Sequence, residues 1–220
     1  MAISELHVDL AGPEELPPTE EELGFVPDRR RRYTVAEVRA LNAANARSWP
    51  FFECVAGRLL VTPAARVTHQ VVVWRLNFAL MSYCDAHFPD GMVGNPPADI
   101  SWGGREITVQ PDVFVMPQHM ARAASDERSS VRGWRKVTHL LLVAEVLSRG
   151  TASNDRGIKR ELYQRQRVPL YWIVDVQERA VEEWTPKAAA PRVERERLVW
   201  HPEGAAVAFE LTLAHLFRPV

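Results

Sequence analysis

HLLLVAEVLSRGTASNDRGIKRELYQRQRVPLYWIVDV, residues 139–176, reads as strand, turn, helix and strand, and the rest of the chain is arranged around it. The run 140–147 is nearly all apolar, too short to span a bilayer and rich in Leu and Val, so it predicts a central strand covered on both faces. Glu145 interrupts it. An unpaired carboxylate there costs several kcal/mol, so the fold must supply a cation or a proton. After a polar turn over 148–154, residues 155–166 have helical periodicity. At about 100° per residue, Asp155, Ile158, Lys159, Leu162, Tyr163 and Gln166 share one arc. Lys159 therefore lies on the inward stripe, behind a strand that carries an interior glutamate. It is one of three lysines (Lys136, Lys159, Lys187) among 27 Lys and Arg residues. Where the chain otherwise favours arginine, a lysine in such a place points to a specific use, because the two side chains differ in shape and in how readily their pKa shifts.

A chain of 220 residues, 46% hydrophobic, can bury one sizeable core, and a single domain over 29–220 is expected. Cys54 and Cys84 form neither a disulfide framework nor a metal-ligand spacing, which fits a reducing cytoplasm; no signal peptide or membrane segment is read. The net charge of −1 is unevenly spread. Residues 1–28 hold eight acids (Glu5, Asp9, Glu14, Glu15, Glu20, Glu21, Glu22, Asp28) and no Lys or Arg, leaving all 27 bases and 20 of the 28 acids to residues 29–220. The mildly basic body is compatible with a polyanionic partner without requiring one. The arm 1–28, with Pro13, Pro17 and Pro18, reads as a mobile or docked extension.

Along the body, Thr34 and Glu37 form a capping-box pattern at the start of a helix. Residues 51–61 predict a hairpin around Gly57, with Glu53 among its apolar residues. A helix follows over 69–83, its face marked by Val72, Leu76, Ala79, Leu80 and Tyr83. His69 near its start reads locally as a capping or packing residue, and no second histidine follows at zinc-binding spacing. Gly103-Gly104 predicts a hairpin between 98–102 and 105–110. Pro111 places Asp112 at a strand start, where an aspartate is often only a turn former. The polar insert 117–137, with Arg122, Arg128, Arg132, Arg135 and Lys136, reads as a loop, either touching substrate or merely solvated. An antiparallel pair over 180–185 and 193–199 and a short helix over 211–216 close the chain. No Gly-x-Ser-x-Gly elbow is present, which argues against a serine hydrolase.

Asp112 at a strand break, Glu145 in the next core strand and Lys159 on the following helix are the parts of a metal-dependent phosphodiester-cleaving site. Two carboxylates suit a hard cation such as Mg²⁺, which offsets phosphate charge and favours hydroxide formation; a lysine positions the water or stabilises the pentacovalent state. The order Pro111-Asp112, Glu145-Val146-Leu147-Ser148, Asp155, Lys159 and Tyr163, Val168-Pro169 and Tyr171-Trp172-Ile173-Val174-Asp175 resembles the Uma-type restriction-endonuclease family of the PD-(D/E)xK nuclease superfamily. Tyr33-Thr34, Phe52-Glu53 with Gly57, and His69-Gln70 extend the likeness over about residues 33–216.

The resemblance implies an α/β (α+β) fold: a restriction-endonuclease-like core, a mixed central sheet of four strands flanked by helices, with additional N-terminal and C-terminal β-hairpins. It implies Mg²⁺ or Mn²⁺ held by Asp112, Glu145 and the main-chain carbonyl of Val146. Lys159 would act from its helix because Leu147 stands at the superfamily's usual lysine position. Glu53 is implied as a further carboxylate, with His69 beside the metal. Ser148-Arg149 replaces the family's frequent Ser-Pro. The implied partners are nucleic acid, DNA in particular, and a second copy of the chain.

Two other readings stand beside an endonuclease. One is a binding or scaffold protein that kept the nuclease fold and lost the chemistry, motivated by Leu147. The other is purely architectural, with Glu145 and Lys159 as a single buried ion pair. Catalysis predicts that Asp112→Asn, Glu145→Gln and Lys159→Ala abolish cleavage without lowering stability; the architectural pair predicts that Glu145→Gln costs about 3–5 kcal/mol.

Overall fold

The computed structural model describes residues 28, 30–45, 49–126, 133–148 and 150–219. Residues 1–27 of the acidic arm, with Arg128, Arg132 and Arg149 of the polar segments, lie outside that description. Helix α1 (Val35–Ala44) begins as its sequence predicts: the Glu37 N–H donates to the Thr34 hydroxyl at 3.3 Å and the Thr34 N–H donates to the Glu37 carboxylate at 2.8 Å. Thr34→Ala removes an acceptor for an otherwise orphaned N–H and is expected to lower the unfolding free energy by about 1 kcal/mol. A denaturant midpoint equal to that of wild type would show that the cap contributes nothing.

Strands β1 (Phe51–Val55) and β2 (Arg58–Thr62) form the expected hairpin. Its turn residues Ala56 and Gly57 have φ of 49° and 74°, the mirror-image turn that matches strand twist and that glycine enters without strain. Helix α2 (Val67–His87) runs further than the 69–83 periodicity predicts and buries Val72, Val73, Leu76, Leu80, Tyr83 and Cys84. Then come β3 (Gly91–Gly94), β4 (Ile107–Thr108) and β5 (Val113–Pro117).

The hairpin expected over 98–110 is reduced to one bridge, in which Ile100 and Val109 exchange main-chain hydrogen bonds of 2.9 and 3.0 Å. Its turn lies at Trp102 and Gly103, one residue ahead of the glycine pair, and β4 pairs with β1. The polar insert is not all loop. Helix α3 (Gln118–Ser125) occupies its start, with Ala121 and Ala124 partly buried against the core, and a 3₁₀ turn spans Gly133–Lys136. The eight residues of α3 span only about two turns, too short a stretch for the repeat to stand out in the sequence.

Next is β6 (Leu142–Val146), then a composite helix α4 made of Ala152–Asn154, a π turn Asp155–Lys159 and Arg160–Arg165. Strands β7 (Tyr171–Asp175), β8 (Ala180–Trp184), β9 (Arg192–Glu194), β10 (Arg197–Trp200) and β11 (Phe209–Thr212) and helix α5 (Leu213–Leu216) complete the domain. The central sheet has the order β3-β5-β6-β7-β8-β9. It has six strands where the resemblance implied four. Only β6 and β7 are parallel, joined by the crossover helix α4 that a parallel pair requires. The stretch 193–199 also divides: β9 pairs with β8, whereas β10 pairs with β11 in a separate hairpin.

Alternation along the sheet sorts side chains onto two faces. Val113, Val115, Leu142, Ala144, Val146, Trp172 and Val174 pack under α2 and the C-terminal hairpin. Phe114, Met116, Val143, Tyr171 and Ile173 pack with Leu162 and Tyr163 of α4. Glu145 falls between these second-face positions, on the side from which α4 approaches.

Candidate active site

The sheet register brings the first two acids together. Val113 of β5 is paired with Ala144 of β6 in antiparallel fashion, so one further residue sets Asp112 opposite Glu145. The Val146 N–H donates to Asp112 Oδ2 at 2.8 Å. His69, from the first turns of α2, places Nε2 3.3 Å from the same oxygen. Glu53 arrives from the neighbouring hairpin. The Gln110 N–H donates to its Oε1 at 2.8 Å, and the Thr62 hydroxyl donates to its Oε2 at 3.0 Å. Glu53, His69, Asp112, Glu145, Val146 and Lys159 all line one cavity of about 190 Å³.

Lys159 does span the gap from its helix. Its ammonium stands 3.0 Å from Glu145 Oε1, 3.0 Å from Glu53 Oε2 and 3.7 Å from Asp155 Oδ1. Tyr163, one turn on, donates its hydroxyl to Glu145 Oε1 at 2.7 Å. The π turn Asp155–Lys159 lies at the point where α4 meets the cavity; such turns are uncommon and are found mostly at functional sites. The lysine and its three acids are each at most 5% exposed. This is a network around one cation, larger than the single ion pair of the architectural reading.

The carboxylates are pushed in opposite directions. Burial drives Glu145 well above the usual carboxylate range, and Asp112, Asp155 and Glu53 add to the rise against the opposing charge of Lys159. Burial also disfavours an ionised Asp112, but the charge and hydrogen bond of His69, the Val146 N–H and the charge of Lys159 hold it below its ordinary value. For His69, burial favours the neutral ring, yet Asp112 and the Val146 main chain keep its pKa raised. Lys159 is held well above the lysine range because its three carboxylates outweigh its burial.

Asp155 is the acid that the sequence placed on the right arc without assigning it to the site. Burial first, with Asp112 and Glu53, lifts it to about 6. A carboxyl raised on folding stabilises the native state fully below its unfolded pKa, and that contribution is lost as pH rises through about 6. Asp155→Asn is therefore expected to raise the melting temperature at pH 8 and to leave it unchanged near pH 4. Equal melting temperatures at both pH values would contradict this.

Four carboxylates face one ammonium and one imidazole, so the cavity is over-acidic and calls for further positive charge. Asp155 Oδ1 is buried without a hydrogen-bond donor. Among the described residues no three His, Cys, Asp or Glu side chains form a ready-made metal cage; Lys159 stands between Glu53, Glu145 and Asp155. Asp112, Glu145 and Val146 line the same cavity, and carboxylate and carbonyl oxygens are the donor type that a hard divalent cation takes.

A mixed sheet with one parallel pair, helices on both faces and acids converging at the strand ends defines a restriction-endonuclease-like α+β domain. The chain belongs to the Uma2 family, described as "Putative restriction endonuclease", which matches residues 35–215. It is similar in fold to the crystal structure of a "putative nuclease belonging to DUF820" from Anabaena variabilis, with a TM-score of 0.60 and 17% identity over 76% of this chain and 90% of that one. Comparison with curated proteins gives no match. Among the described residues, no helix is long and apolar enough to cross a membrane.

Proposed function

We propose that the chain is a Mg²⁺- or Mn²⁺-dependent endonuclease that hydrolyses phosphodiester bonds of DNA. The observation that carries this reading is the meeting of Asp112 and Glu145 across an antiparallel register, with the Lys159 ammonium 3.0 Å from Glu145. Asp112, Glu145 and the Val146 carbonyl would hold the cation, which when bound supplies charge to the scissile phosphate and acidity to water. Lys159 is oriented by Glu53 and Glu145 and keeps its proton, so it presents a fixed positive charge to an attacking water or to the pentacovalent phosphorus. Tyr163 fixes Glu145 in place. His69 fixes Asp112 and is the nearest group for moving a proton at that end.

The scaffold reading rested on the absence of a lysine at Leu147. The inward, buried Lys159, 3.0 Å from Glu145, supports a lysine acting from α4 in place of one at that position. We further propose that the protein acts in the cytoplasm as a homodimer. The direct test is nicking of supercoiled plasmid with Mg²⁺ or Mn²⁺ and with a chelator, beside light scattering for the dimer. Wild-type protein that neither binds divalent cations nor nicks any nucleic acid would overturn the endonuclease reading.

A further inference from the structure

Besides its acids, the wall of the cavity has an uncharged part that includes the rings of Trp49, Phe51 and Trp74 and the amides of Gln70, Asn77 and Asn95. None of these carries a charge, so this part of the wall offers a phosphate no counter-charge. Trp74 is 65% exposed and Trp49 is 42% exposed, large rings left in water at the mouth of a cleft. The Asn77 amide nitrogen is buried with no acceptor. Such a group is costly to leave unpaired, and it is the kind of group a ligand carbonyl or ring nitrogen would satisfy.

Flat aromatic faces beside amide donors and acceptors match one ligand chemistry, a nucleobase. The rings stack on either face of any base, and the amides address its hydrogen-bonding edge. We propose that this wall is a nucleobase seat, and that the substrate enters with an unpaired base lodged there and the neighbouring phosphate at the carboxylate end. The proposal rests on the nuclease reading above and narrows its substrate to strands with an unstacked nucleotide at the cut site. A base inside an intact duplex cannot reach such a wall without leaving the stack.

The test uses the full chain with Ca²⁺ and three fluorescein-labelled oligonucleotides: a single strand, the blunt duplex of the same sequence, and the single strand with abasic positions. The seat predicts that wild type prefers the single strand, that binding quenches tryptophan fluorescence, and that Trp74→Ala weakens single-strand binding about tenfold. Abasic positions should weaken wild type by a similar factor and Trp74→Ala hardly further. Trp74 is mostly exposed, so its truncation leaves the core intact, and the melting temperature verifies this. Equal binding of the single strand by wild type and Trp74→Ala overturns the seat, as does wild-type indifference to abasic positions. A Trp74→Ala protein that changes oligomeric state while binding the single strand normally also overturns it, assigning the rings to a contact between copies. Nicking by wild type alongside any of these results leaves the nuclease reading standing; no cation binding and no nicking removes both.

Discussion

Lys159→Ala should cost about 3–5 kcal/mol of stability at neutral pH, the scale for stripping one partner from a buried ion pair. The substitution leaves Glu53, Glu145 and Asp155, at 2%, 4% and 2% exposure, buried side by side with no ammonium between them. The catalytic reading of the sequence led to the opposite expectation, that this change spares stability, because it weighed the lysine's part in cleavage and not the three buried acids that surround it. A lysine whose pKa rises on folding stabilises the native state throughout the range below its unfolded pKa, and that contribution is lost only as pH rises through the folded value. The acids left behind take up protons more readily as pH falls, so the deficit against wild type should shrink toward acid pH. Urea denaturation of both proteins across that range is the measurement. Coincident midpoints at neutral pH would mean that the network contributes nothing to folding.

Why was so much of this site legible? Glu145 and Lys159 announced themselves physically, one as a charge inside an apolar strand and the other as a charge on an apolar helix stripe. Either alone would be an expensive accident, and their sequence separation matches a strand followed by its crossover helix. Asp112 and His69 carried no such local signal, and Glu53, although it stands among the apolar residues of its hairpin, was given a role only by the family resemblance. Asp112 follows a proline in a turn-like setting and His69 opens an amphipathic helix, so only the family resemblance pointed to them. Asp155 was on the predicted arc, four residues ahead of Lys159, but an aspartate at the start of a helix has an ordinary capping explanation. The π turn escaped notice because wheel periodicity presumes regular turns. The division of 193–199 between two sheets was hidden for a related reason: alternation fixes which side chains share a face, and the choice of neighbouring strand is made by tertiary packing.

Glu145→Gln and Asp112→Asn should act alike on cleavage and differently on stability. Each removes one of the two carboxylates proposed to hold the cation, and plasmid nicking should fall by roughly 10²–10³-fold or more, with divalent-cation binding lost in calorimetry. For stability the two acids differ in sign. Glu145 is held well above the carboxylate range, so its ionised form burdens the native state at neutral pH. A glutamine keeps an acceptor for Tyr163 and leaves Lys159 with Glu53 and Asp155. Its melting temperature should match or exceed that of wild type. Asp112 is held below the range by His69 and the Val146 N–H, so its ionised form stabilises the native state above the ordinary carboxylate pKa, an effect lost as pH falls through the depressed value. Asp112→Asn should therefore melt lower than wild type at neutral pH, with the gap closing in acid. A Glu145→Gln protein that is destabilised and still nicks plasmid would turn the cluster into architecture. One that is stable and inactive separates chemistry from folding at a single carboxylate oxygen.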